Sequence, residues 1–244
     1  MAVTAVAGIA LLVVAAADEP THAFELNGDL SDDAGGPALV ALGGTIEEDV
    51  YVFGPDEGLA IGVDLGTSYS FETRLRIDSR ATPDRSMKML DFRNRTQEYG
   101  LFAWSSDPAF TVGGLYFFFT ESCDGRVDNA QGCTTLSPNR SSLWSLHDVL
   151  PLGTFTTIRL DRDGATNQVR LFVDGDLVTW STIRDLTGQS EASGSGPARA
   201  DYIDDFHGSA TTGDAGLLHL MVDNGALAVE AASGAVDYVR ITLP

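Results

Sequence analysis

Apolar and polar residues alternate along most of this chain, and that period of two constrains its fold more than any other feature. In YSFETRLRID, Tyr69, Phe71, Thr73, Leu75 and Ile77 fall on one face and Ser70, Glu72, Arg74, Arg76 and Asp78 on the other. Successive side chains of an extended strand point to opposite faces, so this is the pattern of a half-buried strand. KMLDFRN, YGLFAWS, GLYFFFT, FTTIRLDRD, QVRLFVDG, LVTWST, LLHLMVDN and VDYVRITLP repeat it between clusters of Gly, Asp, Asn and Pro that read as turns. SLWSLHDVL, residues 142–150, is the sole helical candidate and is closed by Pro151; residues 187–201, small and polar, read as a surface loop. The pattern predicts an all-β sandwich of two antiparallel sheets.

Within NQVRLFVDGDLV, the cluster Asp174-Gly175-Asp176 admits two readings, a metal or catalytic site or a turn between strands. Turn chemistry favours the second: glycine takes the positive φ that tight hairpins demand, and aspartate tolerates the neighbouring conformation. DRDG at 161–164 is read as a turn too, since a calcium-loop glycine would stand at the sixth position and here it stands at the fourth.

Charge limits the partners. Against 35 Asp and Glu there are 15 Lys and Arg, a formal charge of -20, which opposes binding to nucleic-acid phosphates or anionic membranes. An apolar run from Ala5 to Ala17, followed by small residues, reads as an export signal cleaved after Ala17 or Ala23. It falls short of the roughly 20 residues a membrane-spanning helix needs. Residues 1–23 are therefore expected to be a signal peptide or N-terminal apolar segment, and 24–244 one domain of a secreted or cell-surface protein. In an exported chain the two cysteines, Cys123 and Cys133, favour a disulfide closing the loop between them.

Several strands are apolar on both faces. In GLYFFFT, Leu115, Phe117 and Phe119 oppose Tyr116 and Phe118, so the face turned away from the core must be covered by a loop or left open as a groove. An open aromatic face can stack on sugar rings. Trp104, Tyr116, Phe118 and Trp144 form the candidate platform, with Asn94, Arg95 and Asp107 as neighbouring polar groups. The alternative is that these aromatics are core.

FETRLRID, then LPLGTFTTIRLDRDGATNQVRLFVDGDLV, then LHLMVDNGALAVEAASGAVDYVRITL resemble the concanavalin A-like lectin/glucanase superfamily, in particular the exported LamG-like domains of bacterial surface proteins. The resemblance implies a jelly-roll sandwich and admits lectins, glycosidases and adhesion modules alike. Its retaining glucanases carry Glu-x-Asp-x-(x)-Glu on one strand, setting a nucleophile and a proton donor on the same face. Here EEDVYVFG offers Glu47 and Asp49 but then Tyr51, Val52 and Phe53, so no catalysis is expected. The four histidines, His22, His147, His207 and His219, are scattered without a nucleophile motif nearby. The resemblance also implies a structural Ca2+ joining the two ends of the domain, with Asp237 of VDYVRIT as one ligand and Glu25 to Gly28 of FELNG supplying further oxygens. The alternative for Asp237 is an ordinary pairing at a strand end. These readings lead to an exported, non-catalytic module that binds polysaccharide, cell-surface glycan or another surface ligand; the alternatives are a structural or adhesive surface module without sugar binding and, after it, a glycoside hydrolase lacking the usual paired-acid motif.

Overall fold

The computed structural model describes residues 19–63, 65, 68–80, 86–91, 100–104, 112–118, 142–144, 149–163, 165, 168–182, 217–222 and 232–244, with the backbone alone at some strand positions. Sixteen strands lie among them: β1 (His22–Phe24), β2 (Val40–Leu42), β3 (Thr45–Glu47), β4 (Val50–Phe53), β5 (Gly58–Gly62), β6 (Tyr69–Arg80), β7 (Ser86–Asp91) and β8 (Gly100–Trp104) come first. They are followed by β9 (Val112–Phe118), β10 (Ser142–Trp144), β11 (Leu150–Pro151), β12 (Thr156–Asp163), β13 (Gln168–Val173), β14 (Asp176–Thr182), β15 (Leu217–Leu220) and β16 (Ala232–Thr242). They form two antiparallel sheets. The first runs β14-β13-β12-β6-β16-β4-β3, with β1 also on β16; the second runs β10-β9-β8-β7-β15-β5-β2, with β11 on β9.

The expected alternation sets the core. Along β6, Tyr69, Phe71, Leu75 and Ile77 are buried, and the register carries that face through Ile158 and Leu160 of β12 to Val169, Leu171 and Val173 of β13. Phe24 of β1 and Val236, Val239 and Ile241 of β16 complete the inner face of the first sheet. From the second sheet come Leu59, Ile61, Leu90, Leu101, Leu115, Leu218 and Leu220, all in the same apolar cluster. Burial of this kind contributes about 25 cal/mol per Å² of apolar surface and is the main stabilising term of the sandwich.

Asp174-Gly175 is the turn between β13 and β14, with φ of 49° and 88°, both in the left-handed region a two-residue hairpin requires. The Asp174 carboxylate accepts the Thr157 N–H at 2.8 Å and so fastens the turn to β12. The helix expected over 142–150 does not form across its described residues. Ser142–Trp144 is a strand on β9, and Leu150 pairs with Gly113 of the same strand. Backbone pairing with β9 outweighs the short apolar spacing that suggested a helix. The expected export signal lies outside the described residues for positions 1–18, and so do Cys123, Cys133 and the surface loop expected at 187–201. His22 and Ala23, on the N-terminal side of the expected boundary at 24, belong to β1 and pair with Ile241 and Arg240.

Asp32 organises the segment after β1. Its carboxylate is buried and accepts the N–H groups of Ala23 (2.9 Å), Ala34 (2.9 Å) and Gly36 (3.1 Å), and it meets His22 Nδ1 at 2.6 Å. Burial opposes its charge, but these bonds from Ala23, His22 and Ala34 outweigh that and hold its pKa below the ordinary carboxylate value.

Candidate functional site

The two sheets treat their outer faces differently. On the second sheet, the pairs Asp91 with His219 and with Gly100, Lys88 with Phe102, and Phe102 with Tyr116 put these positions on the face away from the leucine core. Tyr116 also pairs with Trp144, and two-residue steps add the positions of Trp104 and Phe118, so all four members of the expected aromatic platform share one face. Their side chains lie outside what is described, as do Asn94, Arg95 and Asp107 altogether. The described side chains of that face are buried: Phe102 is 1% exposed, Asp91 0%, Lys88 1% and His219 4%. Lys88 Nζ donates to Asp91 Oδ2 at 2.9 Å and lies 5.5 Å from the centre of the Phe102 ring.

The outer face of the first sheet is open and polar. Alternation on β6, β12, β13 and β16 turns Ser70, Glu72, Arg74, Arg76, Arg159, Asp161, Arg170 and Arg240 outward. Phe172, Tyr238 and Phe155 support the guanidinium groups as flat rings. Arg159 lies 4.0 Å over Phe172, Arg240 4.1 Å over Tyr238, and Arg74 and Arg76 each 5.0 Å over Phe155. Such stacking fixes the planes of otherwise long, mobile side chains. Carboxylates interleave: Arg240 Nε and Nη2 donate to Glu25 Oε1 at 3.0 and 2.8 Å, and Asp161 lies between Arg159 (3.2 Å) and Arg170 (3.6 Å) while accepting from Ser70 Oγ at 2.7 Å. Partial burial works against the charge on Arg240, but the Glu25 bonds prevail and raise its pKa above the usual guanidinium value.

At one end of this face a cleft of about 600 Å³ opens, floored by Ser70, Glu72, Arg159, Asp161, Arg170 and Arg240 and walled by Glu19, Pro20, Leu243 and Pro244. Tyr69 and Arg162, both buried, also line it. The chain as a whole is strongly acidic, yet four of its 15 basic residues line this one cleft. Sequence reading passed over these arginines. Their signal was present in TTIRLDRD and QVRLFV, where Arg159 and Arg170 hold outward positions of neighbouring strands.

The residues expected to hold calcium are arranged otherwise. Asp237 Oδ2 accepts a hydrogen bond from Arg74 Nη1, Glu25 is held by Arg240, and Gly28, at φ 139°, lies in a bend of the chain. Among the described residues no group of three or more His, Cys, Asp or Glu side chains could hold a metal. Both candidate carboxylates already face a guanidinium group, so a hard cation, which takes six to eight oxygens, would have to displace Arg74 and Arg240 to gain them. The two ends of the domain are joined by backbone instead, through β1 on β16 and the Thr21 N–H to Ile241 O bond at 2.7 Å. Adding calcium or chelator should therefore leave the thermal midpoint unchanged. A calcium-dependent rise that is absent in Asp237→Asn would restore the metal, since a ligand bound to the native state alone stabilises by about 2.7 kcal/mol at a hundredfold excess over Kd.

Nor do Glu47 and Asp49 form a catalytic pair on a strand. Glu47 ends β3, whereas Glu48 and Asp49, with φ of 49° and 64°, make the turn into β4. Among the described residues no helix is long and apolar enough to cross a membrane.

No protein-family model matches the chain, and no curated protein matches it. Solved structures do. The chain is similar to the binding domain of botulinum neurotoxin serotype D/C, at 8% identity over 91% of this chain and 48% of that one, with a TM-score of 0.54. It is similar also to a structure of botulinum neurotoxin type C, whose cell entry depends upon interaction with two ganglioside molecules: 8% identity, 91% of this chain, 47% of that one, TM-score 0.53. A third similarity is to domain 4 of AbnA, an extracellular arabinanase of Geobacillus stearothermophilus in complex with arabinotriose, at 13% identity, 91% of each chain and a TM-score of 0.44. The chain spans about half the length of the neurotoxin chains it matches. At such identities the shared property is the fold, a sandwich of two antiparallel sheets.

Proposed function

We propose that this chain is an exported, non-catalytic carbohydrate-binding module of the concanavalin A-like, LamG type, and that the saccharide lies in the cleft over the first sheet. One observation carries the reading: an open cleft on a rigid sheet that alternates carboxylates, guanidinium groups and hydroxyls. Sugars present hydroxyls that both donate and accept, and this surface offers acceptors on Glu72 and Asp161 and donors on Arg159, Arg170 and Arg240. The ganglioside interaction of a toxin with the same fold supports a glycan as the partner. The aromatic positions 104, 116, 118 and 144, with Asn94, Arg95 and Asp107, are the rival location; the burial of Phe102 in the same row favours a covered face there.

A glycan array tests this. The wild-type protein is expected to bind, Asp161→Ala to lose at least tenfold in affinity because it removes an acceptor and the partner of two arginines, and Trp144→Ala to bind as wild type. The opposite pattern moves the site to the second sheet. A folded protein that binds no glycan would instead be a structural or adhesive module.

A further inference from the structure

We infer that the cleft selects an acidic saccharide, taking a sugar carboxylate on the solvent-facing N–H groups of Arg159 and Arg170, beyond the Asp161 carboxylate that lies between them; this rests on the glycan-binding reading and narrows it. Arg159 and Arg170 lie side by side on β12 and β13, since Arg170 pairs with Asp161, two residues from Arg159 on the same face. Asp161 is the carboxylate they share. Its Oδ2 is 3.6 Å from Arg170 Nη2, too long for a hydrogen bond, and its Oδ1 lies 3.2 Å from Arg159 Nε while accepting from Ser70. The Nε atoms of both arginines are shielded from bulk water and neither makes a well-aligned hydrogen bond; Arg159 Nε keeps its ion pair with Asp161 Oδ1, whereas Arg170 Nε is left unpaired. A shielded guanidinium N–H left unpaired costs free energy, because the water it gave up is not replaced.

Two partly exposed guanidinium groups thus share one carboxylate at this point, and the arrangement is ready before any ligand arrives. The Arg159 plane is set by the Phe172 ring at 4.0 Å. A guanidinium presents its N–H groups as a planar fork that matches a carboxylate with two parallel bonds, which a neutral hydroxyl cannot reproduce. Asp161 supplies half of the counter-charge, and the ligand's carboxylate would supply the rest. A polyanion such as nucleic acid is disfavoured by the charge of -20 on the whole chain, so the attraction has to be local and to a sparsely charged partner. A saccharide bearing a carboxylate on one ring, its remaining surface hydroxyls, fits both the donors and the acidic surroundings.

The test uses an array carrying carboxylated glycans, the same glycans as methyl esters, sulfated glycans and neutral glycans, probed with wild type and Arg170→Gln. The substituted side chain is 41% exposed, and the thermal midpoint is measured to show that the variant is folded. Expected are binding to the carboxylated glycans, at least a tenfold loss on esterification, and a comparable loss in Arg170→Gln at unchanged midpoint. Preference for neutral or sulfated glycans, or carboxylate binding that Arg170→Gln leaves intact, overturns this inference while glycan binding itself stands. Binding to no glycan overturns both.

Discussion

Replacing Lys88 by alanine will lower the stability of this protein by about 3 to 5 kcal/mol, the usual cost of removing one partner of a buried ion pair. Lys88 is the chain's single lysine, and its side chain and that of Asp91 are both 0% exposed, with Nζ 2.9 Å from the carboxylate. Alanine removes the cation and its 2.9 Å bond to the buried Asp91 carboxylate, and opens a cavity beside Phe102. Chemical denaturation of wild type, Lys88→Ala, Asp91→Ala and the double variant measures it. The double variant is expected to be more stable than the sum of the single losses implies, by about 0.5 to 3 kcal/mol, as for residues in direct contact. Additive losses would show that the two side chains contribute independently and would overturn the ion-pair account.

Gly234→Ala is expected to cost about 3 kcal/mol or to prevent folding, at the upper end of what overpacking a core does. Gly234 sits at an irregularity of β16, where the register on β6 shifts between Ser233 and Gly234, and it is opposite Ile77 and Phe53. A Cβ there would overlap the carbonyl oxygen of Arg76 and come within 3.0 Å of the Phe53 ring. The obstacle is backbone, which cannot rotate away as a side chain can. Gly175→Ala is the contrasting control: its Cβ would meet nothing within 4 Å, and the cost comes only from a φ of 88°. Thermal midpoints of both variants decide the matter, and an equal, small loss in each would remove close strand approach as the reason for Gly234.

Much of this architecture was legible because alternation is a local property. YSFETRLRID gave β6 its correct inward and outward faces, and Asp-Gly announced the turn before β14. What a period of two does not contain is the partner of each strand. The apolar spacing of residues 142–150 therefore suggests a helix, although pairing with β9 makes Ser142–Trp144 a strand. The cleft was missed for the same reason: Arg159, Arg170 and Arg240 are separated in sequence and become neighbours only through the β13-β12-β6-β16 order. Asp237 and Glu25 drew attention as acids, while their guanidinium partners, Arg74 and Arg240, lie on strands whose adjacency no spacing reveals.

The place of β16 in the first sheet also governs the order in which this chain can fold. That strand is flanked by β6 on one side and by β4 and β1 on the other, and Thr73 Oγ1 reaches the Tyr238 carbonyl across a sequence separation of 165 residues. Closing a loop of that length must be accomplished before its contacts stabilise anything, which makes such topologies slow to form. During synthesis β6 emerges long before its central partner, so one of its edges stays unpaired until residues 232–242 are made. Vectorial folding from the N-terminus is thus closed to the first sheet. The nascent chain passes through a period in which its longest strand is a bare edge, vulnerable to pairing with another molecule.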